Sequence, residues 1–151
     1  MINKGGSMYL KVLDRVIKVI NPDASFVNVN HDHWNITVID ENSNKKMYQT
    51  DAYESIVAVS EYNNTETYQT KYFYDGSNQL TGIKDNLNNT FNYTYDNLGR
   101  KTEDNDPDRG LWKFTYDYEG NLIFQKDGRN KTTNISYDGL NRKLTEFGLD
   151  G

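Results

Sequence analysis

The chain has no cysteine among its 151 residues, so disulfide bonds and thiolate metal sites are excluded. Hydrophobic residues are also scarce. They make up 35% of the sequence even when tyrosine is included, whereas about 45–50% of a compact globular domain is apolar. A well-filled round core is therefore hard to build from these residues. The 17 basic residues are outnumbered by 22 acidic ones and form no cluster, which argues against nucleic acid as a partner.

Long apolar runs are missing as well. None approaches the roughly 20 residues of a membrane-spanning helix, so no membrane span is predicted. A secretory signal needs an uninterrupted apolar stretch, and Lys11, Asp14, Arg15 and Lys18 interrupt the amino-terminal one. We expect residues 1–8 to be a leader or disordered segment, and any export signal of a parent protein to lie outside this sequence.

Aromatic residues, in contrast, are abundant, with 12 Tyr, 6 Phe and 2 Trp, and disordered chains are poor in them. Several of the tyrosines belong to a repeat. Tyr-Asp pairs recur every 21 residues, at Tyr74-Asp75, Tyr95-Asp96, Tyr116-Asp117 and Tyr137-Asp138. The same phase continues upstream in altered form, at Leu10-Lys11, His31-Asp32 and Thr50-Asp51. A repeat region is therefore predicted over residues 9–151, with units near 10, 31, 50, 74, 95, 116 and 137, the last one truncated.

Each unit contains two turn signals. Asp is followed three residues later by Gly or Asn, as in Asp96-Asn97-Leu98-Gly99. Asp at the first position of a turn can accept a backbone hydrogen bond, and Gly or Asn at the fourth tolerates a left-handed backbone. About ten residues later a second turn-rich stretch follows, as in Asp127-Gly128-Arg129-Asn130. Two turns per unit predict two strands per unit.

Large residues alternate along the segments that lead into the Tyr-Asp pairs, for example Trp112, Phe114 and Tyr116. Period-two alternation places one strand face against a packing surface and the other towards water. Cross-strand aromatic pairs contribute roughly 0.2–1 kcal/mol each, so repetition stabilises the sheet. The predicted fold is all-β, with tandem hairpins of about 21 residues that form an open, curved antiparallel sheet.

Residues 9–20 allow two interpretations. The repeat phase favours a pair of strands. The spacing of Tyr9, Val12, Leu13, Val16, Ile17 and Ile20 instead fits the apolar stripe of an amphipathic helix. A strand pair is the favoured prediction, and a capping helix is the alternative.

The segment YDNLGRKTEDNDPDRGLWKFTYDYEGNLIFQKDGRNKTTNISYDGLNRKL resembles the Rhs, or YD-repeat, family. The resemblance covers essentially the whole chain after residue 8. This family includes bacterial Rhs polymorphic toxins, wall-associated toxin proteins, shell-forming components of insecticidal toxin complexes, and teneurins of animal cell surfaces. The resemblance implies that the hairpins spiral into a hollow β-shell, which in the toxins encloses a carboxy-terminal effector.

The resemblance implies a non-catalytic structural module, a fragment of shell that encapsulates or displays a toxin or effector domain. Its partners would be flanking shell repeats and an effector domain or cargo, and no cofactor is expected. The parent protein would be secreted or located at the cell surface. Self-association is also expected, because a strip of strands ends in unpaired edges that natural proteins cover or blunt.

The positions that match the family signature are structural ones. They are Tyr74, Asp75, Tyr95, Asp96, Gly99, Arg100, Tyr116, Asp117, Gly120, Tyr137, Asp138 and Arg142. Upstream, Thr50 and His31 replace the repeat tyrosine, and Glu54 and Asp14 stand where Gly would supply a positive φ. We therefore expect these last two corners to be remodelled or destabilised.

Two stretches of the sequence suggest a metal site. The stretch Asp104-Asn105-Asp106-Pro107-Asp108 begins like a calcium loop but has Arg109 and Thr115 where such a loop needs Gly and Glu. His31 and His33 suggest a metal site, but His31 occupies the repeat tyrosine position. No catalytic, metal or cofactor residue is predicted.

A carbohydrate-binding or adhesion module is the alternative function. Stacking on a sugar requires an aromatic side chain on the solvent face, whereas most aromatic residues here are expected on the packing face. Tyr68 and Tyr118 are the predicted exceptions, and they are the candidates for glycan contact.

Overall fold

The computed structural model describes residues 7–149, and within them all regular structure is β-strand. The fourteen strands of this range are β1 (Met8–Val12), β2 (Arg15–Ile20), β3 (Phe26–Asp32), β4 (Asn35–Ile39), β5 (Lys45–Thr50), β6 (Ile56–Asn63), β7 (Glu66–Tyr74), β8 (Leu80–Lys84), β9 (Thr90–Tyr95), β10 (Lys101–Asp106), β11 (Gly110–Tyr116), β12 (Leu122–Lys126), β13 (Thr132–Tyr137) and β14 (Lys143–Leu149). The predicted leader falls outside the described residues except for its last two, and β1 begins at Met8.

The strands form one antiparallel sheet whose spatial order is the order of the chain, from β1 to β14. Short turns explain this order, because an antiparallel neighbour can be reached by a hairpin of a few residues. The all-β fold predicted from the repeat is therefore confirmed. Two compact units can be distinguished: one ends at Tyr72 and includes Asp85–Leu87, and the other comprises Phe73–Lys84 and the residues from Asn88 on.

Residues 9–20 form strands. β1 and β2 pair with Val12 opposite Arg15, so the strand prediction is confirmed and the alternative of a capping helix is wrong. Within residues 7–149 no helix has the length and hydropathy that crossing a membrane requires.

Very little of the described chain is buried. Ala58, Ser60 and Gly82 are the only buried residues among residues 7–148, as the low hydrophobic content leads one to expect. Many of the aromatic residues are half-buried on alternate positions of their strands. In β9, Phe91 and Tyr93 are half-buried while Asn92 between them is exposed. The predicted alternation is thus confirmed in β9, and β11 shows the same pattern.

Most of the hairpin turns share one geometry, in which the fourth residue has a positive φ. These fourth residues are Ala24, Ser43, Glu54, Asn78, Asn88, Gly99, Gly120, Asn130 and Asn141. In the turn that starts at Asp75, the amide of Asn78 donates to the carbonyl of Asp75 at 3.0 Å, and the amide of Asp75 donates to the carbonyl of Gln79 at 3.0 Å. The prediction of reverse turns at the Asp residues is confirmed.

The two corners expected to be altered behave differently. At the first, β1 continues to Val12 and the chain reverses through Leu13 and Asp14, with φ of 49° and 62°. This corner is remodelled, because Lys11 stands where the other repeats have the Asp that organises the turn. At the second, Glu54 adopts a φ of 64° and its amide donates to the carbonyl of Asp51 at 3.1 Å. This corner retains the common geometry, so the expectation of remodelling is wrong here.

Candidate functional site: the Tyr-Asp corners

Each repeat corner is organised by the carboxylate of its Asp. At Asp96, Oδ1 accepts the amides of Leu98 and Arg100, both at 2.9 Å. Gly99, which lies between these two residues, has a φ of 78° and donates its amide to the carbonyl of Asp96 at 3.0 Å. One side chain thus satisfies two backbone donors that a turn leaves without strand partners.

These hydrogen bonds act on the acidity of the corner carboxyls. The backbone amide of Arg100 is the largest cause that holds the pKa of Asp96 below its ordinary value, and the Arg100 guanidinium adds to it. At Asp138 the pKa is lowered first by the backbone amide of Arg142 and then by its side chain. Donors to the charged form favour that form, so these aspartates are structural anions.

The repeat tyrosine caps a carbonyl group of the preceding strand. Its hydroxyl donates to the carbonyl oxygen of the residue 15 positions earlier: Tyr95 to Leu80 at 2.8 Å, Tyr116 to Lys101 at 2.9 Å and Tyr137 to Leu122 at 3.1 Å. Burial raises the pKa of both Tyr95 and Tyr116, which keeps these phenols protonated and able to donate.

His31 makes the corresponding contact in an early repeat. Its Nε2 lies 3.0 Å from the carbonyl oxygen of Val16, again 15 residues earlier. This imidazole therefore occupies the tyrosine position in space as well as in sequence. Thr50 does not reproduce the contact, because its backbone amide and its hydroxyl both donate to the carbonyl of Trp34, at 2.8 Å and 3.3 Å.

Arg100 joins one corner to the next. Its Nε donates to Oδ2 of Asp96 at 2.7 Å, and its Nη1 donates to the carbonyl of Asp117 at 2.7 Å. The guanidinium carbon lies 4.9 Å from the centre of the Tyr116 ring, within the range of a cation–π contact. The second Arg of the signature, Arg142, donates from Nε to Oδ2 of Asp138 at 2.7 Å.

Shorter side chains take the arginine position in the other repeats. Asn121 donates from Nδ2 to Oδ2 of Asp117 and to Oδ1 of Asn141, both at 2.9 Å. Gln79 stands at the arginine position, four residues after Asp75, and its Oε1 is buried without a hydrogen-bond partner. The sequence reasoning missed Gln79 and Asn121. The signal that could have found them is the residue four positions after each Asp.

Surface grooves lie beside these corners. A groove of about 410 Å³ lies between the Asp75 and Asp96 corners, and one of about 440 Å³ between the Asp117 and Asp138 corners. A further cavity of about 520 Å³ is lined by Arg109, Trp112 and the turn that contains Gly128.

The stretch that begins like a calcium loop forms a charge cluster on β10 and the turn that follows it. Asp104 pairs with Lys101 at 3.2 Å and with Arg109 at 3.6 Å, and Arg109 also pairs with Asp106 at 2.9 Å. The side chain of Arg109 holds the pKa of Asp106 below its ordinary value. The basic side chains of Lys101 and Arg109 thus neutralise these carboxylates. No group of three or more metal-ligating side chains is present in residues 7–149.

The two candidate glycan contacts differ in exposure. Tyr118 projects fully into solvent at the tip of its corner, with a relative exposure of 102%. Tyr68 is 39% exposed on β7, and its hydroxyl donates to Glu66. They belong to different compact units.

An open sheet of hairpins, joined by recurrent corners and without a conventional core, is typical of a repeat-built structural protein. The family model Teneurin YD-shell matches residues 22–148, and the chain belongs to this family. The suspected relationship to YD-repeat proteins is confirmed. None of the curated proteins matches the chain in sequence.

Solved structures share the fold. The Tc holotoxin pore of Photorhabdus luminescens matches with a TM-score of 0.83 at 18% identity, over 95% of this chain and 8% of that one. The crystal structure of TcdB2-TccC3 matches with a TM-score of 0.81 at 19% identity, over the same shares. The complex TcdB2-TccC3-Cdc42 has a TM-score of 0.82 at 18% identity, again with 95% and 8% covered. The chain thus spans about 8% of the length of these structures.

Proposed function

We propose that this chain forms part of the wall of a β-shell that encloses or displays a toxin or effector polypeptide. The observation that carries the proposal is the match to the YD-shell family over residues 22–148. The similar structures are of Tc toxin components. The corner contacts support a wall as well, because the Arg100 guanidinium donates to the carbonyl of Asp117 and so connects successive repeats.

Enclosure would require more strands than one unit supplies. The strands β8–β14 of the second unit, at about 4.8 Å per strand, make a strip roughly 30–35 Å across. A strip of this width cannot surround a folded domain. The proposed partners are therefore flanking YD repeats that continue the sheet, together with the enclosed effector or cargo.

Cryo-electron microscopy of the full-length gene product that contains this chain tests the proposal. We expect a hollow particle with residues 22–148 in its wall and with density for a second polypeptide segment inside it. Limited proteolysis should leave that inner segment intact until the shell is denatured. A filled particle, or a chain that projects from the shell as a separate arm, would contradict the proposal.

Carbohydrate binding is the second candidate, and the full exposure of Tyr118 favours it. A free aromatic face offers a rigid amphipathic surface for contact. A glycan array probed with the chain and with Tyr118→Ala tests this role. Binding that is lost in the variant would support it. Binding that is equal in both proteins, or absent, would remove Tyr118 as a glycan contact.

A further inference from the structure

The groove between the Asp75 and Asp96 corners has a filled counterpart within the same unit. One period later, between the Asp96 and Asp117 corners, the guanidinium of Arg100 occupies the space. It donates to Asp96 Oδ2 and to the carbonyl of Asp117 and lies 4.9 Å from the Tyr116 ring centre. The repeat itself therefore shows which chemical group this kind of space accepts.

The first groove is lined by the equivalent residues, each 21 positions earlier in the sequence. Asp75 stands for Asp96, the carbonyl of Asp96 stands for that of Asp117, and Tyr95 stands for Tyr116. All three residues line the groove. The carboxylate of Asp75 contributes, after burial, to the raised pKa of Tyr95, as a negative charge beside that ring must.

These acceptors lack a cation in the first groove. Asp75 Oδ1 accepts the amides of Ser77 and Gln79, both at 2.9 Å, while its Oδ2 has no partner among residues 7–149. Gln79 replaces the arginine, and its own Oε1 is buried without a partner. The groove therefore presents a carboxylate oxygen and an amide oxygen that accept no hydrogen bond from residues 7–149, beside an aromatic ring.

The groove between the Asp117 and Asp138 corners shows how a short side chain at the arginine position can find hydrogen-bond partners. There the amide of Asn121 connects Asp117 with the side chain of Asn141. In the first groove the residue at the position of Asn141 is Gly99, which has no side chain. A Cβ atom placed on Gly99 would lie 3.5 Å from Oε1 of Gln79. Of the three grooves between the Asp75 and Asp138 corners, the first is therefore the one that has a side chain shorter than arginine and no acceptor side chain opposite it.

We propose that the groove between the Asp75 and Asp96 corners binds a guanidinium group, supplied by an arginine side chain of a partner polypeptide. A guanidinium is planar, carries five donors in a rigid fork and stacks on aromatic rings. It matches a carboxylate, two further oxygens and a ring face better than a point-like ammonium does. The formal charge of −5 also favours the approach of a cation.

Nuclear magnetic resonance titration of the full chain with N-acetylarginine amide tests the proposal. We expect saturable shifts of the Gln79 side-chain amide and of the Gly99 backbone amide. N-acetyllysine amide should bind at least about fivefold more weakly, because it lacks the planar fork. N-acetylcitrulline amide, which has the same shape without the charge, should cause no saturable shift.

Two variants locate the site. Gln79→Arg should fill the groove from within and abolish the arginine shifts. Asp75→Asn should weaken binding while it preserves the turn, because Asn can also accept backbone amides. Asp138→Asn, at a corner outside the groove, is the matched control and should bind like the parent chain. A peptide that carries one arginine should bind at the same site as the free probe.

Several outcomes would overturn the proposal. Equal shifts with the citrulline probe would show that charge plays no part. Unchanged binding in Gln79→Arg would place the arginine elsewhere, and so would shifts confined to Asn121 and Asn141. Gln79→Arg leaves the turn residues in place, so this test holds even where Asp75→Asn reduces stability.

Discussion

The repeat tyrosine and the corner aspartate act on backbone groups, and each does so at a fixed distance in sequence. The tyrosine hydroxyl reaches a carbonyl 15 residues back, and the Asp carboxylate reaches amides two and four residues ahead. Because both partners are backbone atoms, the residues between can vary freely. This explains how the period persists while the intervening sequence differs from repeat to repeat.

Tyr116→Phe should lower the free energy of unfolding by about 1 kcal/mol, because the carbonyl of Lys101 loses its hydroxyl donor while the ring remains. Thermal and urea denaturation measure the change. Tyr118→Phe is the matched control and should leave stability unchanged, because Tyr118 is fully exposed. Equal effects of the two substitutions would show that the hydrogen bond of Tyr116 contributes nothing.

The histidine in the tyrosine position supplies a second test at this scale. His31→Tyr should preserve or raise stability, because a hydroxyl restores the donor that other repeats direct at the matching carbonyl. His31→Ala should lower it, since the carbonyl of Val16 then loses its partner. A loss in His31→Tyr as large as that in His31→Ala would show that the two positions are not equivalent.

At the scale of the element, the hairpin turn determines where a repeat tolerates change. The fourth turn residue is left-handed whether it is Gly, Asn or a residue poorly suited to it, such as Glu54. The hydrogen bonds of Asp51 to Tyr53 and Ser55 therefore outweigh the local strain at Glu54. The Asp at the first position therefore determines the backbone conformation of the turn more strongly than the identity of the fourth residue does.

Glu54→Gly should raise the free energy of unfolding by roughly 0.5–1 kcal/mol, because the left-handed strain of an L-residue exceeds the entropy cost of glycine. Chemical denaturation measures the gain. Gly120→Ala is the reverse control. Its φ of 93° is unfavourable for alanine, so this variant should be less stable than the parent. A destabilised Glu54→Gly would refute the strain at this corner.

The sequence predicted the elements that depend on a periodic signal. The 21-residue spacing, the Asp turns and the alternation of β11 all follow from side chains that recur. The remodelling of the corner at Asp14 was expected, but the tight reversal through Leu13 and Asp14 could not be predicted in the same way, because no recurring turn-forming Asp specifies it. The unfilled acceptors at Gln79 depend on how far one side chain reaches across to the next corner, which residue spacing does not record.

At the scale of the whole molecule, the corner carboxylates link stability to pH. The pKa values of several aspartates are lowered from 3.8 by hydrogen bonds in the folded state, namely Asp23, Asp40, Asp96, Asp106, Asp117 and Asp138. The unfolded chain therefore takes up protons at a higher pH than the folded chain does. The stability that these groups contribute is present above about pH 4 and lost as the pH falls through the folded pKa values.

Urea denaturation between about pH 6 and pH 2 should show this loss, with a flat upper limb and a decline that begins near the unfolded pKa of the carboxyls. Asp96→Asn should flatten the decline, because one of the linked groups no longer titrates. A stability that stays constant to about pH 2 would contradict the role of these hydrogen bonds.

Strands β1 and β14 stand at the two ends of the strand order. β14 also carries the exposed side chains of Leu144 and Phe147, at 64% and 57%. The chain alone should therefore associate through its edges as its concentration rises. Analytical ultracentrifugation should show less association for the double variant Leu144→Lys/Phe147→Lys.

The control for this experiment is Leu87→Lys/Leu98→Lys, which adds the same charge at turn positions that are each 73% exposed. This variant should associate like the parent chain. An equal decrease in both double variants would show that net charge, and not the β14 edge, controls association.

The reach of the corner contacts bears on how the chain acquires its structure during synthesis. The hydroxyl of Tyr137 donates to a carbonyl 15 residues earlier, and Arg100 donates to the carbonyl of Asp117, only 17 residues later. Contacts this local need little loop closure and form quickly. Each hairpin can therefore complete its corner soon after it leaves the ribosome, so that the sheet lengthens at the pace of translation.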